Sequence, residues 1–318
     1  MTGPAALWVP ALIVCNFMGA MVMVMVYLER KISARFQQRM GPTRVGPHGI
    51  LQLIADTIKL LAKEDILPAA ADRIVFLLAP VMIFVTALMS YVVIPWAPGW
   101  VPKDLNIGIL YILAVTSMTT LAILMAGWGS NSKWTLLGGM RSAAQLASFE
   151  IAMLLAIVPI VMLAGSLSLV SIVQAQEGYW FILVQPVAFL LLLVSSLAET
   201  NRVPFDIPEA ESELVSGYNT EYSGMKFSFF FFAEYVNMFT ASAIMATLFF
   251  GGWMGPAGVP APIIFFGKIL FFIFVFMWIR WTLPRVRIDQ LMEFGWKVLV
   301  PIGFLNLFAT ALILLVRG

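Results

Sequence analysis

Apolar residues in this chain do not alternate with polar ones but gather in long runs, such as Phe227 to Phe232 with only Ser228 between. A membrane-crossing barrel strand would show in-and-out alternation, so the runs predict helices. Read against flanking charges and turn residues, they predict eight spans, near 6–28, 74–95, 106–128, 143–165, 180–198, 228–250, 262–281 and 298–316. Each lies close to the ~20 residues needed to cross a hydrocarbon core. Pro80, Pro159, Pro186 and Pro301 fall inside these helices or near their ends. Each removes a backbone hydrogen bond, and neighbouring helices can satisfy the freed carbonyl, so the prolines read first as packing features.

One apolar segment has a different pattern. Over residues 49–63, Ile50, Ile54, Ile58 and Leu61 recur at helical spacing, with Gln52, Asp56, Lys59 and Lys63 as the polar set between them. Too short to cross, this amphipathic helix is expected to lie at the membrane interface. The plainer reading of such a helix is a surface anchor. Gly41, Pro42, Gly46, Pro47 and Gly49 before it predict an irregular turn carrying Arg39 and Arg44.

Composition agrees with this pattern. The chain is 61% hydrophobic and 11% charged, with a mean hydropathy of +0.94, whereas soluble domains carry roughly 25% charged residues. No sizeable water-soluble domain fits among the spans. The expectation is a single all-α transmembrane domain over 1–318, a polytopic integral membrane protein with eight spans and one interfacial helix. The first span runs into Glu29 and Arg30 without a small-residue cleavage site, so it reads as a retained helix and not a removed leader.

Charge then orients the spans. Sixteen of the nineteen lysines and arginines fall in the odd-numbered loops and the helix ends beside them, eight of these between Arg30 and Arg73. Only Lys103, Lys268 and Arg317 lie on the other side. Positive residues favour the cytoplasmic side, which predicts cytoplasmic odd loops and both termini outside.

The same residue inventory limits the chemistry. One cysteine, Cys15, can neither form an internal disulfide nor supply the four thiolates of a typical iron-sulfur cluster. One histidine, His48, excludes a bis-histidine haem. Any redox metal or flavin is expected on another subunit, and no nucleic-acid partner is indicated.

Charged residues inside apolar spans cost at least ~3 kcal/mol on insertion scales and call for a reason. Glu150 lies about seven residues inside the fourth span and Glu234 about six inside the sixth, each roughly 10 Å from the same edge at ~1.5 Å per residue. Glu29 and Glu199 close the first and fifth spans on that side. Four carboxylates from four helices can therefore meet in one layer, unless each is a structural acid satisfied by Ser, Thr or Arg. The fifth loop, 199–227, sets Glu199, Asp206, Glu209, Glu211, Glu213 and Glu221 against Arg202 and Lys226. Such a charge run is usually a solvated face. Pro204, Phe205, Ile207 and Pro208 within it predict a loop that is held and partly buried, where crowded carboxylates can pass protons. Its acids and the bases Arg30, Lys31, Arg35, Arg39 and Arg44 of the first loop are expected to pack together or on a common partner.

Three stretches carry a family resemblance: Glu29-Arg-Lys with Arg39-Met-Gly-Pro-Thr-Arg-Val-Gly-Pro; Gln52-Leu-Ile-Ala-Asp-Thr-Ile-Lys-Leu; and Ala198-Glu-Thr-Asn-Arg-Val-Pro-Phe-Asp-Ile-Pro-Glu-Ala-Glu-Ser-Glu-Leu. They resemble the quinone-site membrane subunit of respiratory complex I, the proton-translocating NADH:quinone oxidoreductase, and the resemblance extends over essentially the whole chain. It implies a subunit at the heel of the membrane arm in an energy-transducing membrane such as the bacterial plasma membrane. The implied partners are hydrophilic-arm subunits carrying iron-sulfur clusters and antiporter-like membrane subunits. Its substrate would be a quinone, ubiquinone or menaquinone, reduced by electrons from the docked arm. By motif, Glu29, Arg30, Arg39 and Asp56 would surround the quinone entrance, and Arg202, Asp206, Glu209, Glu211 and Glu213 would line the chamber. Glu199, Glu221, Glu150 and Glu234 would carry protons onward. No catalytic activity is expected of the isolated chain. Competing readings are an ion or solute carrier, for which the expected inverted repeats are not seen, and an anchor subunit of a related membrane-bound hydrogenase or ferredoxin-linked complex.

Overall fold

The computed structural model describes residues 5–208, 211–256 and 258–317, which form helices and, among the described residues, no strand. In chain order they are α1 (Ala5–Phe36), α2 (Gln52–Ala62), α3 (Arg73–Met89), α4 (Gly108–Gly129), α5 (Lys133–Ala164), α6 (Leu169–Gln174), α7 (Phe181–Val184), α8 (Pro186–Glu199), α9 (Glu211–Leu214), α10 (Gly224–Phe249), α11 (Ala261–Thr282), α12 (Ile288–Phe294) and α13 (Val300–Arg317). Seven helical segments are long and apolar enough to cross a membrane, and α8 is a shorter apolar helix. The chain is an all-α polytopic membrane protein.

The fifth expected span is where pattern and structure differ most. Its apolar run is broken at Gln185, whose φ of −127° and ψ of 56° fall outside the helical region before Pro186 opens α8. The polar atoms at the break are satisfied by the last span: Gln185 Nε2 donates to Thr310 Oγ1 at 2.7 Å, and Asn306 Nδ2 donates to Gln185 Oε1 at 2.9 Å. Together α7 and α8 cover 181–199, about 28 Å of helix rise, close to a hydrocarbon core. α5 begins at Lys133 and not near 143, and its 32 residues rise about 48 Å, so Glu150 sits mid-helix. The last span is continuous from α12 through a π-helical turn at Gly295–Leu299 into α13.

α10 is the central helix. In its most apolar stretch 72% of residues are buried, against 17% in the last span, which therefore lies at the periphery. α10 packs against α1, α3, α8 and α11. Tyr91, after α3, donates to Val236 O at 2.9 Å and accepts from Thr240 Oγ1 at 3.0 Å, joining it to α10 within the apolar core. On the side away from the base-rich loops, Lys268 Nζ caps the end of α10 by donating to the carbonyls of Phe250, Gly252 and Met254. Gln176 fastens the same region, accepting from Gly251 N and donating to Thr247 O. These bonds serve polar groups that a low-dielectric interior would otherwise leave unsatisfied.

α2 packs on α1 and α10. Ile50, Ile54, Ile58 and Leu61 stay 49–61% exposed while Leu53 is buried. Its apolar stripe thus faces away from the bundle, as a helix lying in a membrane interface requires.

A buried charge network as candidate functional site

The fifth loop is folded back onto α5. After α8, Asn201 adopts φ +50°, a left-handed conformation that Asn tolerates better than most residues, and the chain reverses there. Gln145 of α5, 1% exposed, shares its two amide protons among Ala198 O at 2.8 Å, Phe205 O at 2.9 Å and Asn201 Oδ1 at 3.2 Å. Phe205 packs on Phe149, and Val286 N donates to Pro204 O at 3.1 Å. Further along, Gly138 of α5 lies so close to Gly217 that an added Cβ would sit 2.8 Å from its Cα.

This clamp carries Arg202 into the interior, where it is 3% exposed. Its Nη1 donates to both oxygens of Glu29 at 2.9 and 2.8 Å, and its Nε pairs with Glu234 Oε1 at 2.6 Å. Its guanidinium carbon lies 4.5 Å from the centre of the Tyr235 ring. Arg280 of α11 also donates to Glu29. Burial by itself would lower the pKa of Arg202, but the facing carboxylates of Glu234 and Glu29 outweigh it and hold Arg202 well above its ordinary range. Two acids and two arginines from α1, α10, α11 and the fifth loop thus form a charge-balanced network at the foot of α1. Asp206 lies near enough to Glu234 to act on it electrostatically.

A second carboxylate pair lies beside α4. Glu150 and Glu199 lie near enough to act on each other electrostatically, with Ser117 beside Glu150 and Thr116 beside Glu199, and neither has an ion-pair partner among the described residues.

The profile of the NADH dehydrogenase family matches residues 9–311. Among similar proteins is the NADH-quinone oxidoreductase H subunit of Dehalococcoides mccartyi strain CBDB1, 51% identical over 96% of this chain and 86% of that protein. An H subunit of the same enzyme from Geobacter metallireducens is 51% identical over 92% of each chain. The H subunit from Rhodospirillum rubrum is 49% identical over 94% of this chain and 90% of its own length. The chain belongs to the family of NADH-quinone oxidoreductase H subunits.

Within this family member, the other described candidates occupy α1, α2, the first loop and the chain between α8 and α10. Arg30 Nη1 donates to Asp56 Oδ2 at 2.6 Å, tying α1 to α2, and Gln52 Nε2 donates to Asp56 Oδ1 at 3.2 Å. Burial tends to raise the pKa of Asp56; the hydrogen bond from Arg30 outweighs this and leaves it below the usual range. Arg39 lies on the exposed first loop, donating to Gln37 Oε1 at 2.6 Å. Glu213 pairs with Arg141 of α5 at 2.6 Å, and this hydrogen bond lowers its pKa. Glu221 is partly buried near the start of α10. Glu211 opens α9, and Glu209 lies outside the described residues.

The expected meeting of four carboxylates takes the form of two couples, Glu29 with Glu234 across Arg202, and Glu150 with Glu199. The first-loop bases bond locally: Arg30 to Asp56, Lys31 to Pro42 O, and Arg39 to Gln37. The direct ion pairs between the two loop regions are opposite in sign to the ones expected, with a fifth-loop base on a first-loop acid: Arg202 on Glu29, and Lys226 on Asp65 at 2.9 Å, beside which Ser223 Oγ donates to Glu64 O at 3.1 Å. Sequence reasoning missed Arg280, Tyr235, Gln145 and Arg141. Arg280 had a signal, a base inside the end of an apolar span, but it entered only the tally that oriented the loops.

Proposed function

We propose that this chain is a membrane subunit of a proton-translocating NADH:quinone oxidoreductase, forming part of the quinone chamber and coupling quinone reduction to proton movement. The observation that carries the reading is the buried Arg202 network. It joins the foot of α1, the acidic loop and the sixth and seventh spans at the depth where a membrane-dissolved quinone head would meet a docked electron donor. The names of relatives near 50% identity favour NADH:quinone chemistry over the hydrogenase or ferredoxin-linked alternative.

Reducing a quinone to a quinol takes two electrons and two protons. Partner subunits bearing iron-sulfur clusters would supply the electrons. This chain would contribute the apolar approach along α1, α2 and α10, the fixed positive charge of Arg202, and carboxylates whose charge balance responds when protons are consumed nearby. Glu150 and Glu199, neighbouring acids without an ion-pair partner among the described residues, would pass that response into the membrane arm toward antiporter-like subunits. In this arrangement the base-rich loops face the cytoplasm and both termini lie outside, in an energy-transducing membrane.

A photoreactive quinone analogue should label α1, α2 or α10 in the assembled complex, and labelling confined to other subunits would refute the chamber assignment. Glu150→Gln preserves side-chain volume and breaks no ion pair, so assembly should survive while quinone reduction and proton pumping fall together; Glu234→Gln also takes a partner from buried Arg202, so its pumping is read per assembled complex. Full pumping by the doubly substituted complex would leave both residues as structural acids.

A further inference from the structure

A cavity of about 550 Å³ opens on the base-rich side where the ends of α3, α4 and α5 converge, away from the charge network. Asp72, Asn131, Ser132 and Lys133 form its polar wall, and Trp128 and Leu136 are among its apolar lining. Two bonds across the rim preform it: Asp72 N donates to Gly129 O at 2.9 Å, and Asn131 Nδ2 donates to Ala70 O at 2.9 Å.

Its charges are one of each sign, and neither has an ion-pair partner among the described residues. Asp72 caps α3 through Oδ1 alone, which accepts from Ile74 N and Val75 N. Its second carboxylate oxygen is left for a ligand cation. Lys133 stands at the start of α5, where Ser132 makes no capping bond and the first turn holds no acid. That helix end therefore offers amide donors and a positive dipole beside the Lys133 ammonium.

Below the cavity, an apolar track runs into the membrane. Leu110, Leu121 and Trp128 are exposed and lie on one face of α4 by helical spacing, over about 27 Å of rise. Trp128 and Trp134, the latter under Lys133 Nζ at 5.4 Å, stand where aromatic belts sit at membrane interfaces. The ligand that matches all three features has an ammonium, a phosphate and acyl chains.

We propose that this cavity binds the headgroup of a zwitterionic aminophospholipid, its ammonium on Asp72, its phosphate on Lys133 and the start of α5, and one acyl chain along the outer face of α4. The site is independent of the quinone reading.

The assembled complex in phosphatidylcholine nanodiscs, doped with phosphatidylethanolamine carrying a diazirine on one acyl chain, tests it. Irradiation should label residues 110–136, and the matching phosphatidylglycerol probe should label them several-fold less. Asp72→Asn keeps the helix cap, and Lys133→Gln keeps the stem; each should cut ethanolamine-lipid labelling about fivefold, as expected for one exposed charge contact of about 1 kcal/mol. Equal labelling by both lipids would overturn the headgroup assignment. Absence of lipid labelling at 110–136, with a partner subunit crosslinked there instead, would overturn the site. The comparison of two lipids on the unaltered complex decides the matter even if neither variant assembles.

Discussion

Replacing Arg202 with Gln removes the cation on which two buried carboxylates depend. Glu29 loses a single nitrogen donor that reaches both its oxygens at 2.8 and 2.9 Å and retains Arg280, whereas Glu234 loses its one ion-pair partner among the described residues, at 2.6 Å. Unit charges about 4 Å apart, roughly the distance between the centres of a paired guanidinium and carboxylate, attract by about 4 kcal/mol at an effective dielectric near 20, while desolvation opposes the gain. Breaking one buried pair by removing a partner typically costs about 3–5 kcal/mol, because the remaining charge stays buried without compensation. We therefore expect Arg202→Gln to destabilise the subunit by about that amount, about two to four powers of ten in the folded-to-unfolded ratio. Arg202→Lys keeps the charge but loses the planar fork and the stacking on Tyr235, and should fall between the two. The assay is thermal aggregation of the detergent-purified complex with its level in membranes, for Arg202→Gln, Glu234→Gln and the double variant. Because Arg202→Gln strands Glu234, the double variant should be more stable than additivity predicts, by about 1–3 kcal/mol. Strict additivity, or an Arg202→Gln complex as stable as the unaltered one, would refute the reasoning.

Other outcomes can be stated as directly. Asp56 has a folded pKa below its unfolded value of roughly 3.9, so its contribution is present above that value and lost as pH falls through the lower folded one. Protection of α2 amides, measured relative to their intrinsic exchange rates, should therefore fall below about pH 4, and Asp56→Asn should show low protection with no such acid step. Gly138→Ala would set a methyl 2.8 Å from the Gly217 backbone, so the fifth loop should become protease-sensitive and lose about 1–3 kcal/mol, as overpacking does; an unchanged cleavage pattern would show that the loop yields without cost. In a Cys15→Ser background, Trp100→Cys should react with an impermeant thiol reagent from outside and Met40→Cys should not. The reverse pattern would invert the proposed topology.

Much of the bundle was legible because apolar runs and the bilayer impose the same length scale. The α2 stripe was equally plain, since Ile50, Ile54, Ile58 and Leu61 repeat on one face and nothing in the bundle covers them. The break at Gln185 was hidden because Pro186 also suits the first turn of a continuous helix, and the partners that stabilise the break, Asn306 and Thr310, are more than a hundred residues away in sequence. At the site, acids in apolar surroundings stood out one by one, but their pairing did not. Nothing local tells Glu29 that Arg202 and not Arg35 is its partner; that follows from the loop reversal at Asn201 and the clamp by Gln145. Gln145 itself looked like an ordinary polar residue on a helix, because its three acceptors are backbone or turn atoms of a distant segment.

The sequence separations within the network set a timetable for biogenesis. Arg202 follows Glu29 by 173 residues and Arg280 follows it by 251. At translation rates of about 5–20 residues per second, α1 exists for roughly 10–35 s before the first of these arginines is made, and for longer before the second. Throughout that interval the acidic foot of α1 must remain at the aqueous boundary, because its partners in the folded subunit have yet to be synthesised. A helix inserted well before its partners is thus among the last to be locked, and a nascent chain halted before residue 202 should still allow α1 to move along the membrane normal.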